Sequence, residues 1–105
     1  MPQDRFTGTF HVGMCRVWLH MPGNASLKDK RQILRSLIQR VRNKFEVAIA
    51  EVDAQDHLQI ACLGITCVSS AEQHANQVLS KVVEFIEHSR SDADLYDYEL
   101  EVQTF

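Results

Sequence analysis

A chain of 105 residues fits one domain and can bury roughly two-thirds of its unfolded surface, so a core needs neither a metal nor a disulfide framework. With 45% hydrophobic and 24% charged residues it has the composition of a soluble globular protein, and no apolar run approaches the roughly 20 residues that span a bilayer. The net charge of −3 hides an asymmetry: residues 28–44 hold seven bases and one acid, +6, whereas the remainder holds four bases and thirteen acids, −9.

Residues 1–9 read as a flexible leader ahead of a single domain over 10–105. The polar start MPQDRFTGTF lacks the apolar core of a signal peptide, which points to a cytoplasmic protein with no membrane partner. From His11 to Met21 the pattern has period two. Gly13, Cys15, Val17, Leu19 and Met21 form an inward row and Met14, Arg16, Trp18 and His20 the opposite one, as in a strand covered on one face. Pro22-Gly23-Asn24 ends it. Ser26 then caps a helix over 26–45, and Asp29 completes a variant capping box.

In that helix Ile33, Leu34, Leu37, Ile38, Val41 and Phe45 recur at helical spacing and mark the buried stripe. At 3.6 residues per turn, Lys28, Arg31, Gln32, Arg35, Gln39 and Arg42 fall in one narrow sector away from it. Lys30 falls nearer the apolar side, where its stem would snorkel along the core edge.

Phe45–Val52 and Leu58–Val68 read as the second and third strands, joined as a hairpin by the polar link Asp53-Ala54-Gln55-Asp56-His57. Gly64 marks a bulge or a close approach within the third strand. Ser69 with Glu72 and Ser70 with Gln73 each have capping-box spacing ahead of a second helix, whose apolar face is Ala75, Val78, Leu79, Val82 and Ile86. In the last strand, Leu95–Phe105, Tyr96, Tyr98, Leu100 and Val102 alternate with Asp97, Glu99 and Glu101. The order βαββαβ predicts an α+β ferredoxin-like sandwich, a four-stranded antiparallel sheet with two helices on one face.

The run LHMPGNASLKDKRQILRSLIQRVRNKF (19–45), with AEVDAQD (50–56), LGI (63–65), VSS (68–70) and the acidic closing strand, resembles the YlxP-like family, a bacterial domain of unknown function. The resemblance covers residues 11–103. It implies a ferredoxin-like fold and a gene that often lies beside those for a translation initiation factor and a ribosome-binding factor. It supplies no catalytic residues. The chain departs from the family pattern at Trp18, where a smaller or charged residue is commoner, and at His57-Leu58, where Leu-Trp is commoner.

Three surfaces carry candidate chemistry. The helix over 26–45 is the first. Lys28, Arg31, Arg35 and Arg42 would neutralise phosphates of structured, ribosomal RNA, with Lys30, Arg40 and Lys44 adding to the field. A merely solvated face would mix signs and pair Glu with Lys along the helix, and here one acid accompanies seven bases. The second is the start of that helix, where Gly23, Asn24 and Ser26 lead to free backbone N–H groups and form a candidate phosphate loop. The third is the bare sheet face. There Arg16, Trp18 and His20 would lie beside Asp97, Glu99 and Glu101, an arrangement suited to a ribosome-associated protein or to a homodimer.

No catalytic, metal or cofactor assignment follows from the residues. Glu51, Asp53, Asp56 and His57 lack ligand spacing and read as turn formers. PGNASLKDKR lacks the Gly-rich loop and following Arg of an acylphosphatase, which shares the βαββαβ order. Cys15, Cys62 and Cys67 sit in apolar runs without a C-x-x-C pair and read as small buried hydrophobes.

Overall fold

A computed structural model describes residues 4–105. Residues 1–3 of the expected leader lie outside the described residues, and 4–9 are exposed without regular secondary structure. Six elements follow in the expected order: β1 His11–His20, α1 Leu27–Lys44, β2 Ala48–Asp53, β3 Ile60–Ser69, α2 Glu72–Glu87 and β4 Asp94–Thr104. The strands form one antiparallel sheet in the order β2-β3-β1-β4, so the fold is ferredoxin-like.

The period-two row of β1 points into the core, where Cys15, Val17, Leu19 and the following Met21 are buried. Leu34, Leu37 and Val41 of α1 and Ala75, Leu79, Val82 and Ile86 of α2 complete the same cluster. Val83, outside the predicted apolar face of α2, also joins it.

Gly13 lies on this inward row beneath α2. A Cβ there would stand 2.6 Å from Leu79 Cδ1 and 3.0 Å from Cys67 Sγ, so α2 can seat at this depth only over a bare backbone. Gly13→Ala should therefore destabilise the fold by about 1–3 kcal/mol, the usual cost of overpacking, read as a lower urea midpoint with an unchanged slope.

Two local expectations are corrected and a third is narrowed to one of its alternatives. Neither capping box forms at α2. Ser69 is still the last residue of β3, and its hydroxyl accepts from Ala71 N and bonds His74 Nδ1, leaving Ala71 as an N-cap without a side-chain bond. Tyr96 does not continue the inward row of β4. The register slips between Trp18 and Leu19, pairing Trp18 with Asp97 and Leu19 with Leu95, so Tyr96 is the extra residue of a bulge and is exposed. Gly64 marks a close approach. The bulge sits on the neighbouring strand, between Glu51 and Asp53, and drives Val52 over Gly64, where a Cβ would meet Val52 Cγ1 at 2.9 Å.

All three cysteines are free and buried. Burial, reinforced by the Glu99 charge, raises the Cys15 thiol from 9.0 to about 11, and burial also raises Cys62 and Cys67. Well below pH 9 all three are neutral in both states. As pH rises from 9 towards 11 the unfolded chain ionises first, so the folded state loses relative stability across that window. Native protein at pH 8 should react slowly with a thiol reagent, and urea should release three fast thiols. Rapid labelling of native Cys15 would contradict this burial.

Candidate nucleic-acid interface

The first turn of α1 forms as its sequence requires. Ser26 Oγ accepts from Asp29 N at 3.0 Å, and Asp29 lies at the positive end of the helix dipole. Arg42 and Lys44 lie at the opposite end, where the dipole favours cations. Packing of Leu34, Leu37 and Val41 onto the sheet fixes the rotation of the helix about its axis. Lys28, Arg31, Arg35 and Arg42 are consequently exposed in one row. From Lys28 to Arg42 the row spans about 21 Å at 1.5 Å per residue. Among the described residues the ion pairs are Arg16–Glu99 and Lys30–Glu51, so none of these four cations is neutralised by an acid. Gln32 is exposed beside them, whereas Gln39 spends its amide on Asn43 Oδ1 at 2.9 Å.

Lys30 does not belong to that row, nor does it snorkel. It is only 1% exposed, among the largest fully buried side chains of the molecule. Its Nζ donates to the carbonyls of Ala54 at 2.6 Å and His57 at 2.7 Å and reaches Gln55 O at 3.4 Å. Glu51 Oε2 lies 3.1 Å from Nζ, yet this buried oxygen accepts no aligned hydrogen bond. The ammonium protons are directed to the carbonyls, and Glu51 acts as an adjacent counter-charge.

Ala54 adopts φ 58°, in the left-handed region, and Asp53 Oδ1 accepts from its N–H. The β2–β3 connection thus closes around the Lys30 ammonium. Asn24 ties the preceding loop to the same place, donating to Leu58 O at 2.6 Å and Ser26 O at 2.9 Å. The two signature runs, 19–45 and 50–56, meet here. Their meeting explains Lys30, Glu51 and the turn residues as architecture.

The other two bases expected to add to the field are partly engaged. Arg40 is half-buried and donates to Ser89 Oγ at 2.7 Å, with its Nε buried and unpaired. Lys44 is exposed but its ammonium sits over the rings of Phe85, at 5.0 Å, and Phe45, at 5.9 Å. Arg42, though exposed, also donates to Ile49 O of β2 at 2.9 Å.

The candidate phosphate loop is not assembled. Ser26 accepts rather than donates at its capping bond, Asn24 is committed as above, and the cleft beside Gly23 and Asn24 is lined by Asp29, Asp92 and Asp94. Three carboxylates around one small cleft repel an anion, and they make it unsuited to an acyl phosphate.

On the bare sheet face the expected neighbours do meet: Arg16 opposes Glu99, Trp18 opposes Asp97 and Met14 opposes Glu101. Arg16 pairs with Glu99 at 3.0 Å and lies 5.8 Å from the centre of the Trp18 ring. Trp18 is therefore half-buried rather than an exposed anchor, while His20 is exposed at the strand end. Sequence reasoning missed the groove further along this face. It has a volume of about 850 Å³ over a floor that includes Met14, Ala48, Ala50, Gly64 and Thr66. The available signal was the small residues at alternate positions of β2 and β3.

Compared with known proteins, residues 12–100 match the family model described as "Protein of unknown function (DUF503)". The uncharacterized protein YlxP of Bacillus subtilis (strain 168) is 42% identical over 62 residues, which is 59% of this chain and 67% of that protein. Among solved structures, 92% of this chain superposes with a TM-score of 0.47 and 8% identity on LarC2, the C-terminal domain of a cyclometallase involved in the synthesis of the NPN cofactor of lactate racemase, in apo form. This chain spans 57% of the length of that one.

Proposed function

The chain belongs to the DUF503 family of proteins of unknown function, and we propose that it is a non-enzymatic protein that binds structured RNA in ribosome maturation or translation. The observation that carries this reading is the exposed row Lys28, Arg31, Arg35 and Arg42, held at fixed spacing on α1 with no acid pairing it among the described residues. A rigid row of cations is suited to phosphates along a folded RNA, where each contact releases counterions. The row has no stacking platform beside it: Phe45 and Phe85 face each other edge-on at 5.6 Å, under Lys44. Recognition therefore rests on backbone shape and charge rather than on splayed bases.

The test is binding of a structured ribosomal RNA fragment across a salt series. Four phosphate contacts should weaken affinity by about 50- to 150-fold between 50 and 200 mM salt. Binding without salt dependence, or no binding at 50 mM, would sink the proposal.

A second reading, a homodimerisation module, is favoured by the groove on the bare sheet face, because a strip of small and apolar residues there can receive a second copy. Sedimentation of the wild type and of Ala50→Arg decides it. A monomer in both removes the dimer.

A further inference from the structure

The two edges of the sheet are treated differently. β2 is six residues long, and the Arg42 guanidinium donates to the carbonyl of its second residue, Ile49, which blunts that edge. β4 is eleven residues long, pairs with β1 alone and has no covering strand among the described residues.

Its hydrogen-bonding pattern can be followed from one end. Phe10 and Phe105 exchange both backbone bonds, at 2.9 and 2.8 Å. The register then continues through Val12–Gln103, Met14–Glu101, Arg16–Glu99 and Trp18–Asp97. Antiparallel alternation directs the backbone groups of those residues inward to β1 and those of Tyr98, Leu100, Val102 and Thr104 outward. Asp97 Oδ1 already accepts from the outward Tyr98 N–H at 2.8 Å. The outward groups of Leu100, Val102 and Thr104 form an open ladder.

The side chains along this edge select the strand that would complete it. On the bare sheet face stand Asp97, Glu99 and Glu101, of which, among the described residues, only Glu99 has a cationic partner, Arg16. On the helix side stand Tyr98, Leu100 and Val102, with Tyr98 half exposed at 49%. A second copy of β4, added antiparallel about Leu100, would set Glu99 against Glu101 of its mate, and like charges directly opposite are destabilising. In that register the acids oppose self-pairing. They complement a strand with Lys or Arg opposite them and apolar or β-branched residues opposite Leu100 and Val102.

We infer that β4 is a docking edge for an extended cationic segment of a partner protein, added as a fifth, antiparallel strand beside Leu100–Thr104. Main-chain bonds would supply affinity, and the Glu101 carboxylate would choose the sequence.

The test uses the full chain and a peptide of about nine residues, a usual strand length, alternating lysine with valine and threonine. Binding is read by fluorescence anisotropy, and amide exchange is read residue by residue. The expected result is saturable binding, slowed exchange at Leu100, Val102 and Thr104, and at least tenfold weaker binding to Glu101→Lys. The same peptide N-methylated at alternate residues keeps its charge but cannot form the ladder, and it too should bind at least tenfold more weakly. Equal binding of both peptides, or binding without protection of β4, would reduce the contact to diffuse charge and overturn the inference. Absence of binding at millimolar peptide would overturn it as well.

Discussion

Replacing Lys30 with methionine should lower the unfolding free energy by about 3–5 kcal/mol, the cost of breaking a buried ion pair from one side. Methionine matches the stem of lysine in length and apolar character, so the core contacts of the stem survive and the loss isolates the ammonium. Left behind would be the carbonyls of Ala54 and His57, each now without its 2.6–2.7 Å donor, and a carboxylate on Glu51 without its counter-charge. Against a total stability of about 5–15 kcal/mol, such a change would leave a measurable unfolded fraction at 37 °C. Urea titration followed by circular dichroism gives the number. Adding Glu51→Gln to Lys30→Met should recover only part of it, because the orphaned carbonyls remain. A loss below about 1 kcal/mol in Lys30→Met would mean that the ammonium does not organise the β2–β3 turn.

Reversing Lys28, Arg31 and Arg35 together to glutamate should weaken RNA binding by at least about a hundredfold at 50 mM salt and bring the salt slope close to zero. Arg42 alone would remain of the row, and three new carboxylates would face the phosphates. The fold should survive the change. All three positions are exposed. Glutamate at position 28 suits the positive end of the α1 dipole by about 0.3–1 kcal/mol, which offsets the mild repulsion between carboxylates at 31 and 35, about 0.2–0.5 kcal/mol. Lys30→Met offers the complementary control. If its surviving folded fraction binds RNA normally, the buried lysine and the outer row are separable. Unchanged RNA affinity in the triple variant would remove α1 as the interface.

The fold was legible because its signals are local and periodic. The inward row of β1, the stripe of α1 and the face of α2 each repeat over three or more turns or pairs. The exposed row Lys28, Arg31, Arg35 and Arg42 follows from the same arithmetic, since a helix that buries one stripe must present the opposite one. The Ser26 cap needs only its own first turn.

Other features depend on residues far apart in the chain. The extra residue at Tyr96 is defined only by pairing with β1, and the Ser69 hydroxyl could cap α2 only if β3 ended earlier than it does. The anion-repelling cleft at the start of α1 needs Asp92 and Asp94, more than sixty residues away.

Lys30 marks the division between the two. The sequence by itself determined that a cationic helix with an apolar stripe follows a strand, and that Lys30 lies towards its apolar side. Only the tertiary structure decided that this cation is enclosed, because the carboxylate that makes burial tolerable comes from β2 and the three carbonyls from the turn after it, some 25 residues downstream. A charge can leave water only where its partners converge, and that convergence belongs to the fold, not to the spacing of residues along the chain.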